Sequence, residues 1–410
     1  MSSVIACRSC GCPDLQMVLS LGSMPLANAL ITAAELNQPE ATYPLELAFC
    51  PGCSLVQITE TVPPEKLFRD YLYFSSFSDT MLRHAQTIVE RVLESRSLDT
   101  SSLAIEIASN DGYLLQFYKQ AGIPVLGVEP ALNIARVAEN ERGIRTITDF
   151  FGAETATCLA AQGERADVIH ANNVLAHVPD LNGFVQGLRL LLKPDGVAII
   201  EVPYVKDLVD RCEFDTIYHE HLSYFALTAL VHLFDRHGLA IQQVERLAIH
   251  GGSLRLFVEV DRGQARTSSV TELLETENSW GVNRLEFYQD FARRVAELKR
   301  SLRNLVFDLK DRKERLAAYG AAAKGSTLLN YFDIGNGTLD FVVDRSSHKQ
   351  GRYMPGVRLP IYSPARLLEE MPSHVLLLTW NFADEILSQQ EEYRRRGGKF
   401  IIPIPELRVV

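Results

Sequence analysis

The 410-residue sequence predicts an α/β protein in which two Rossmann-like units follow a small N-terminal lobe tied by paired cysteines. Three observations carry this prediction. Short apolar runs alternate with helical segments from residue 103 onward, and the same rhythm starts again at Leu316; that is the pattern of parallel sheets covered by helices. Ahead of both units stand two Cys-x2-Cys pairs. At roughly 150 residues per domain, the length suits two or three domains. Apolar residues make up 47% and charged residues 22% of the chain, which excludes a disordered, collagenous or disulfide-stapled polypeptide. A net charge of −10 leaves no general basic surface for a phosphate backbone, so no nucleic-acid partner is expected. The longest apolar runs, near 197–202 and 375–378, fall far short of the ~20 residues of a membrane span. The first residues lack the basic and apolar regions of a signal peptide. A soluble, cytoplasmic protein without a membrane partner is expected.

The elements follow in order. Cys7 and Cys10 are separated by 39 residues from Cys50 and Cys53, and two such knuckles can give four thiolates to one tetrahedral zinc, a closed and therefore structural site. The intervening stretch is longer than the usual ribbon spacing. Apolar runs at 17–21 and 43–49 read as strands of a lobe too small to be stable on its own core, so metal is expected to supply folding free energy. Cys12 is close enough to compete as a ligand, and Cys158 and Cys212 read as buried or bland. Pro63-Pro64 marks a boundary. A helix is predicted over 79–95, with Met81, Ala85, Ile88, Val92 and Leu93 on one face. Buried strands follow at 103–107, 125–128, 166–171 and 197–202, then an antiparallel pair at 240–247 and 254–260 joined by His250-Gly251-Gly252-Ser253. Phe287, Phe291, Val295, Leu298, Leu302, Leu305 and Leu309 step by three and four, so a long amphipathic helix bridges the domains. Strands at 317–319, 339–343, 375–378 and 400–402 complete the second unit. The expected division is 1–64, 65–245 and 246–410.

Residues 103–115 read as strand, tight turn and helix start, which brings backbone N–H groups to a ligand. Glu129 ends the next strand, 23 residues after Glu106, where a carboxylate can accept from both hydroxyls of a ribose. Asp149-Phe150 follows the third strand, where an adenine would be read, and Asn172-Asn173 ends the fourth. Order and spacing resemble the class I S-adenosylmethionine-dependent methyltransferases. Their acid-x-Gly-x-Gly-x-Gly turn stands here as Glu106-Ile-Ala108-Ser109-Asn110-Asp111-Gly112, with only the last glycine retained. The resemblance makes Glu106, Ser109, Asn110, Gly112, Glu129, Pro130, Asp149, Phe150, Asn172 and Asn173 the expected cofactor contacts.

Beyond the strand ending at Pro203 comes Tyr218-His219-Glu220-His221-Leu222-Ser223-Tyr224. Two histidines, a carboxylate and two tyrosines so close together are unfavourable to bury without a role. His177, at another strand end, can converge on the same crevice. A histidine beside a glutamate makes a tuned general base, and methyl transfer to carbon needs a base plus a donor for an enolate oxygen. Cys7/Cys10/Cys50/Cys53, residues 71–79, Glu106–Gly112, Tyr218–His221, His250–Ser253 and Gly320-Ala-Ala-Ala-Lys324-Gly325 occur in one order. Together they resemble the nucleotide-sugar C-3 methyltransferases of branched deoxysugar biosynthesis, over essentially the whole chain. The resemblance implies a zinc-binding lobe, a methyltransferase domain, a C-terminal α/β domain, and methylation of C3 of a dTDP-4-keto-6-deoxyhexose. It implies His221 as base, surrounded by Tyr218, Glu220, His177 and a tyrosine that matches Tyr73 better than Tyr71.

In the second unit, residues 320–325 fit G-x-A-x-x-G, and Asp344 lies 24 residues after Gly320. By pattern alone this turn suits NAD. The resemblance implies instead that Gly320, Lys324 and Ser326, with His250, hold the nucleotide-linked sugar. Two other readings remain open from the sequence: an NAD-dependent nucleotide-sugar oxidoreductase or epimerase, and a non-catalytic zinc-lobe binding module. The sugar substituents, the base and the oligomeric state are not encoded in any motif.

Overall fold

The computed structural model describes residues 5–68 and 74–410. Strands β1 (Gln16–Pro25), β2 (Thr42–Phe49) and β3 (Val56–Ile58) form an antiparallel sheet in the N-terminal lobe. The next strands are β4 (Ala104–Ile107), β5 (Val125–Val128), β6 (Thr146–Ile147), β7 (Ala166–Asn172) and β8 (Leu192–Pro203). The short β9 (Ser223–Tyr224) does not join them: it pairs with β3 and adds a fourth strand to the lobe. The hairpin β10 (Leu239–Leu247) and β11 (Ser253–Val260) returns to the middle sheet, whose order is β10-β11-β8-β7-β4-β5-β6. β4 to β8 are mutually parallel, and the order switches direction between β4 and β7, where α/β sheets open a crevice.

Strands β12 (Leu316–Tyr319), β13 (Val342–Val343), β14 (Ile361–Tyr362), β15 (His374–Leu377), β16 (Lys399–Ile402) and β17 (Arg408–Val409) build the third sheet, in the order β14-β13-β12-β15-β16-β17. All pairs are parallel except β16–β17. The fold is thus the expected α/β architecture. One boundary reads differently in three dimensions: β11 lies beyond residue 245 yet sits between β10 and β8. An alternating hairpin strand has the same sequence pattern whichever sheet it joins.

The predicted helix over 79–95 is Asp79–Ser95, with Met81, Ala85, Ile88, Val89 and Val92 buried. Helix Leu285–Asp311 buries Tyr288, Phe291, Val295, Leu302, Val306 and Leu309, while Phe287, Leu298 and Leu305 flank that stripe partly exposed. It packs on a core common to lobe strands β1–β3 and the C-terminal sheet. The lobe therefore borrows apolar burial from a distant part of the chain. No helix among the described residues is long and apolar enough to cross a membrane.

One buried acid ties the middle domain together. Glu277, fully buried in helix Ser268–Trp280, accepts from Leu227 N at 2.7 Å and Tyr204 Oη at 2.8 Å through Oε1. Its Oε2 accepts from Thr228 N at 2.8 Å and Thr228 Oγ1 at 2.6 Å. Helix Leu227–Asp235 begins after Ala226, which offers no capping side chain, so Glu277 caps it from another helix. Glu277→Ala leaves several buried donors unsatisfied and should destabilise the fold by about 3–4 kcal/mol. Chemical denaturation of the variant checks this, and a loss below about 1 kcal/mol would contradict the capping role.

Candidate active site

The Sγ atoms of Cys7, Cys10, Cys50 and Cys53 all lie within 4.8 Å of one another. Cys7–Cys53 and Cys10–Cys50 are 3.6 and 3.5 Å apart, close to the ~3.8 Å edge of a tetrahedron with zinc–sulfur bonds of ~2.3 Å. The donor set fits zinc. Cys12 is outside this group; Cys212 is buried, and Cys158 is exposed. The knuckle is docked rather than pendant. Asn182 Nδ2 donates to the carbonyls of Arg8 and Ser9 at 3.0 Å each, and Arg236 Nη2 donates to Ser9 O at 2.8 Å.

The turn after β4 keeps the backbone shape that its missing glycines would have supplied. Ala108, Asn110 and Gly112 have φ of 54°, 49° and 78°. Asn tolerates the left-handed region, whereas Ala is strained there by about 1–2 kcal/mol. Ala108, Asn110, Glu129, Pro130, Asp149, Phe150, Asn172 and Asn173 line one cavity of about 1400 Å³. Glu129 accepts from Asn110 N at 3.0 Å and Ala131 N at 2.9 Å, and burial raises its pKa. Asn172 Oδ1 and Asn173 Oδ1 are buried without a hydrogen-bond partner among the described residues. Buried acceptors of this kind call for a ligand donor.

Three of the expected cofactor contacts lie elsewhere. Glu106, Ser109 and Gly112 do not line the cavity. Glu106 is buried beneath the turn, and desolvation, then Asp111 and Glu129, hold its pKa well above the usual carboxylate range. Ser109 packs on Gly127, where a Cβ would lie 2.5 Å from Ser109 Oγ. A Cβ on Gly112 would meet Ile144 Cδ1 at 2.5 Å. These residues shape the turn from below.

Tyr218 and His221 line the same cavity. His221 Nδ1 donates to Thr216 O at 2.8 Å, and its Nε2 lies 3.1 Å from Tyr218 Oη. A carbonyl can only accept, so Nδ1 carries the proton and the Nε2 lone pair faces the tyrosine hydroxyl. His177 donates Nδ1–H to Glu220 O at 2.7 Å. Its ring centroid is 4.9 Å from that of His221, and burial lowers its pKa, which keeps it neutral. Glu220 is not placed as expected. Its carboxylate accepts from Asn28 Nδ2 of the zinc lobe at 2.7 Å, and burial raises its pKa to about 7. Among the described residues, the Thr216 carbonyl and the Tyr218 hydroxyl meet the His221 ring; Glu220 meets His177 through its backbone. Tyr71 and Tyr73 lie outside the described residues.

The C-terminal turn reaches the same cavity. Helix Ala323–Phe332 starts after Ala322 without a side-chain cap, and Ala322, Ala323 and Lys324 line the cavity. Gly320 has φ 100°, and a Cβ there would meet Thr379 Cγ2 at 2.5 Å. Gly320 and Ser326 are not on the cavity wall; Ser326 is buried. Asp344 accepts from Ala321 N and Ser346 N at 2.8 Å each and lies 3.7 Å from Lys349 Nζ, so it braces the turn. His250 falls in the short turn Ile249–Gly251.

Sequence reasoning passed over Asn28, Glu213, Asp215 and Trp380. Asn28 and Glu213 line the cavity, and Trp380 Nε1 donates to the buried Asp215 Oδ2 at 2.7 Å. Lys324 Nζ lies 4.6 Å from the Trp380 ring centroid. No local pattern marks these residues; a buried acid run such as Glu213-Phe-Asp215 ahead of Tyr218 is the only hint the sequence offers.

Three family models match in series: a zinc binding domain at residues 7–68, a methyltransferase domain at 80–244, and a C-methyltransferase C-terminal domain at 248–405. C-methyltransferase NovU of Streptomyces niveus is 37% identical over 405 residues, covering 98% of this chain and 96% of that protein. A ubiquinone biosynthesis O-methyltransferase of Actinobacillus pleuropneumoniae serotype 5b (strain L20) is 33% identical over 102 residues, 23% of this chain and 42% of that protein. Among solved structures, an S-adenosylmethionine-dependent methyltransferase from Clostridium acetobutylicum ATCC 824 aligns with a TM-score of 0.35 at 13% identity, covering 43% of this chain and 90% of that one.

Proposed function

This chain belongs to the family of S-adenosylmethionine-dependent C-methyltransferases, and on that premise we propose that it methylates C3 of a nucleotide-linked 4-keto-6-deoxyhexose. The carrying observation is the shared cavity: residues of the β4 turn, Tyr218 and His221, and the start of the uncapped helix with Lys324 all line it. An open helix N-terminus beside a lysine suits phosphate oxygens, which favours a nucleotide diphosphate there, probed most directly with dTDP. The oxidoreductase and the non-catalytic readings give way to family membership.

S-adenosylmethionine, when bound, supplies an electrophilic methyl group. Glu129 accepts from the ribose hydroxyls, and Asn172 and Asn173 offer buried Oδ1 acceptors to the ammonium of its amino-acid end. His221 Nε2 takes the C3 proton, which the 4-keto group makes acidic. The Tyr218 hydroxyl guards that lone pair in the free enzyme and turns to donate to the enolate oxygen as the proton leaves. His177, neutral and with Nδ1–H already on Glu220 O, presents only an acceptor, so Tyr218 is the enolate donor. Asn28 and Glu220 keep the run in place from the zinc lobe.

Turnover of methyl-labelled S-adenosylmethionine with dTDP- and GDP-4-ketosugars tests the substrate class. A product whose C3 carries the new methyl group in place of its hydrogen supports it; binding of the methyl donor with no methylation of any 4-ketosugar would sink it. Glu129→Ala should weaken S-adenosylmethionine binding about ten- to hundredfold, the loss of a charge-assisted hydrogen bond. Calorimetry checks this, and an unchanged affinity would remove Glu129 from the ribose.

A further inference from the structure

Glu213 lines the cavity just ahead of the short turn Phe214–Thr216. It is 3% exposed, and its Oε1 accepts no hydrogen bond from any described residue. Arg211 comes only to 3.9 Å of Oε1 and donates instead to Gly251 O at 2.5 Å. Of its acidic neighbours, Asp207 accepts from Arg246 at 2.8 Å, and Asp215, which is not on the cavity wall, accepts from Trp380 at 2.7 Å through Oδ2 while its Oδ1 also has no partner among the described residues. Native proteins seldom leave a buried carboxylate in this condition.

The Gly-Gly turn exists in a form that admits these acids. Gly251 and Gly252 have φ of 86° and 115°. A Cβ on Gly251 would lie 2.6 Å from Glu213 Oε2, and one on Gly252 would lie 2.2 Å from Asp207 Oδ2. The missing side chain at Gly251 thus leaves the room that the Glu213 carboxylate occupies. Burial raises its pKa to about 7, opposed by the charge of Lys324.

We infer that Glu213 is a substrate-reading residue whose carboxylate accepts a hydrogen bond from a hydroxyl or ammonium group on the sugar ring. The inference rests on the nucleotide-ketosugar reading above and deepens it. A phosphate is excluded as the partner, because like charges repel, and phosphates have Lys324 and the open helix end. Glu213 also adjoins the base: Thr216 donates N and Oγ1 to Glu213 O at 3.1 and 2.8 Å, and the Thr216 carbonyl holds His221. Between the phosphate end and the base lies the ring.

The test is calorimetric binding of dTDP-4-keto-6-deoxyglucose, which carries hydroxyls at C2 and C3, to enzyme saturated with S-adenosylhomocysteine. Glu213→Ala should bind it about ten- to hundredfold more weakly than wild type, with S-adenosylhomocysteine affinity and melting temperature unchanged. Glu213→Gln should keep most of the affinity, since an amide oxygen still accepts from a hydroxyl. If the ring group is an ammonium, a 3-amino probe binds wild type more tightly and Glu213→Gln abolishes that preference. Equal affinity of wild type and Glu213→Ala for both probes overturns the inference and leaves the substrate class standing. Failure of wild type to bind either probe while it binds S-adenosylhomocysteine overturns both together.

Discussion

His221→Asn is expected to abolish exchange of the C3 hydrogen in D2O with S-adenosylhomocysteine in place of the methyl donor, and to lower kcat by about 10²–10⁴-fold. The tautomer of His221 decides this. Thr216 O fixes the proton on Nδ1, so Nε2 is available as a base without any prior rearrangement of the ring. Asparagine keeps a donor for the Thr216 carbonyl and removes the base, which makes the variant a test of chemistry more than of packing. Exchange is scored apart from methyl transfer, so a slow later step cannot hide the result. The obvious rival is His177, whose ring lies 4.9 Å away between centroids and whose Nε2 is also an acceptor. His177→Asn should retain exchange at a reduced rate. If His177→Asn is silent and His221→Asn exchanges like wild type, the base has been misassigned.

What the sequence made legible, and what it hid, follows from the range of each constraint. Metal ligands impose their own local spacing, so the four cysteines could be paired from the chain alone, and their thiols do converge. Parallel strands need continuous apolar runs, so the two Rossmann-like units are readable from the sequence. The β4 turn was legible as a place and misleading as a contact list. Its residues look like ligand contacts because they are small, yet Ser109 and Gly112 are small because Gly127 and Ile144 press against them from behind. Ser326 is a similar case, buried in the helix that Lys324 opens. Glu220 was read as a partner of His221 from adjacency, whereas a side chain 192 positions away, Asn28, meets its carboxylate. Convergence of that kind leaves no periodicity. Neither does the pairing of β9 with β3, because two residues of extended chain carry no pattern.

That pairing determines what zinc removal should do. From the sequence, losing a cysteine is expected to act on folding before chemistry; the structure ties the two together. Cys50 and Cys53 lie in the turn between β2 and β3, and β3 grips the chain just after the proposed base: Ile58 N donates to Leu222 O at 3.0 Å, and Val56 and Gln57 pair with Tyr224 and Ser223. The lobe also holds His219, whose Nε2 lies 3.2 Å from Pro44 O, and Glu220 through Asn28. Four thiolates around one zinc supply apparent free energy of about 10–16 kcal/mol in isolated fingers; here part of the lobe is also held by apolar contact with the C-terminal core, so loss of metal should loosen it without unfolding the whole chain. Cys50→Ser, or exhaustive chelation, is therefore expected to lower the melting temperature and to cut kcat at least about a hundredfold, the scale of a displaced acid–base group. Affinity for S-adenosylmethionine should change little, because Asn110, Glu129, Asn172 and Asn173 come from the C-terminal ends of β4, β5 and β7 and the turns that follow them, and not from the lobe. The divergence of the two readouts is the discriminating result: full turnover in protein stripped of zinc would show that the lobe does not hold the catalytic run, and equal loss of methyl-donor binding would show that the metal supports the entire fold instead.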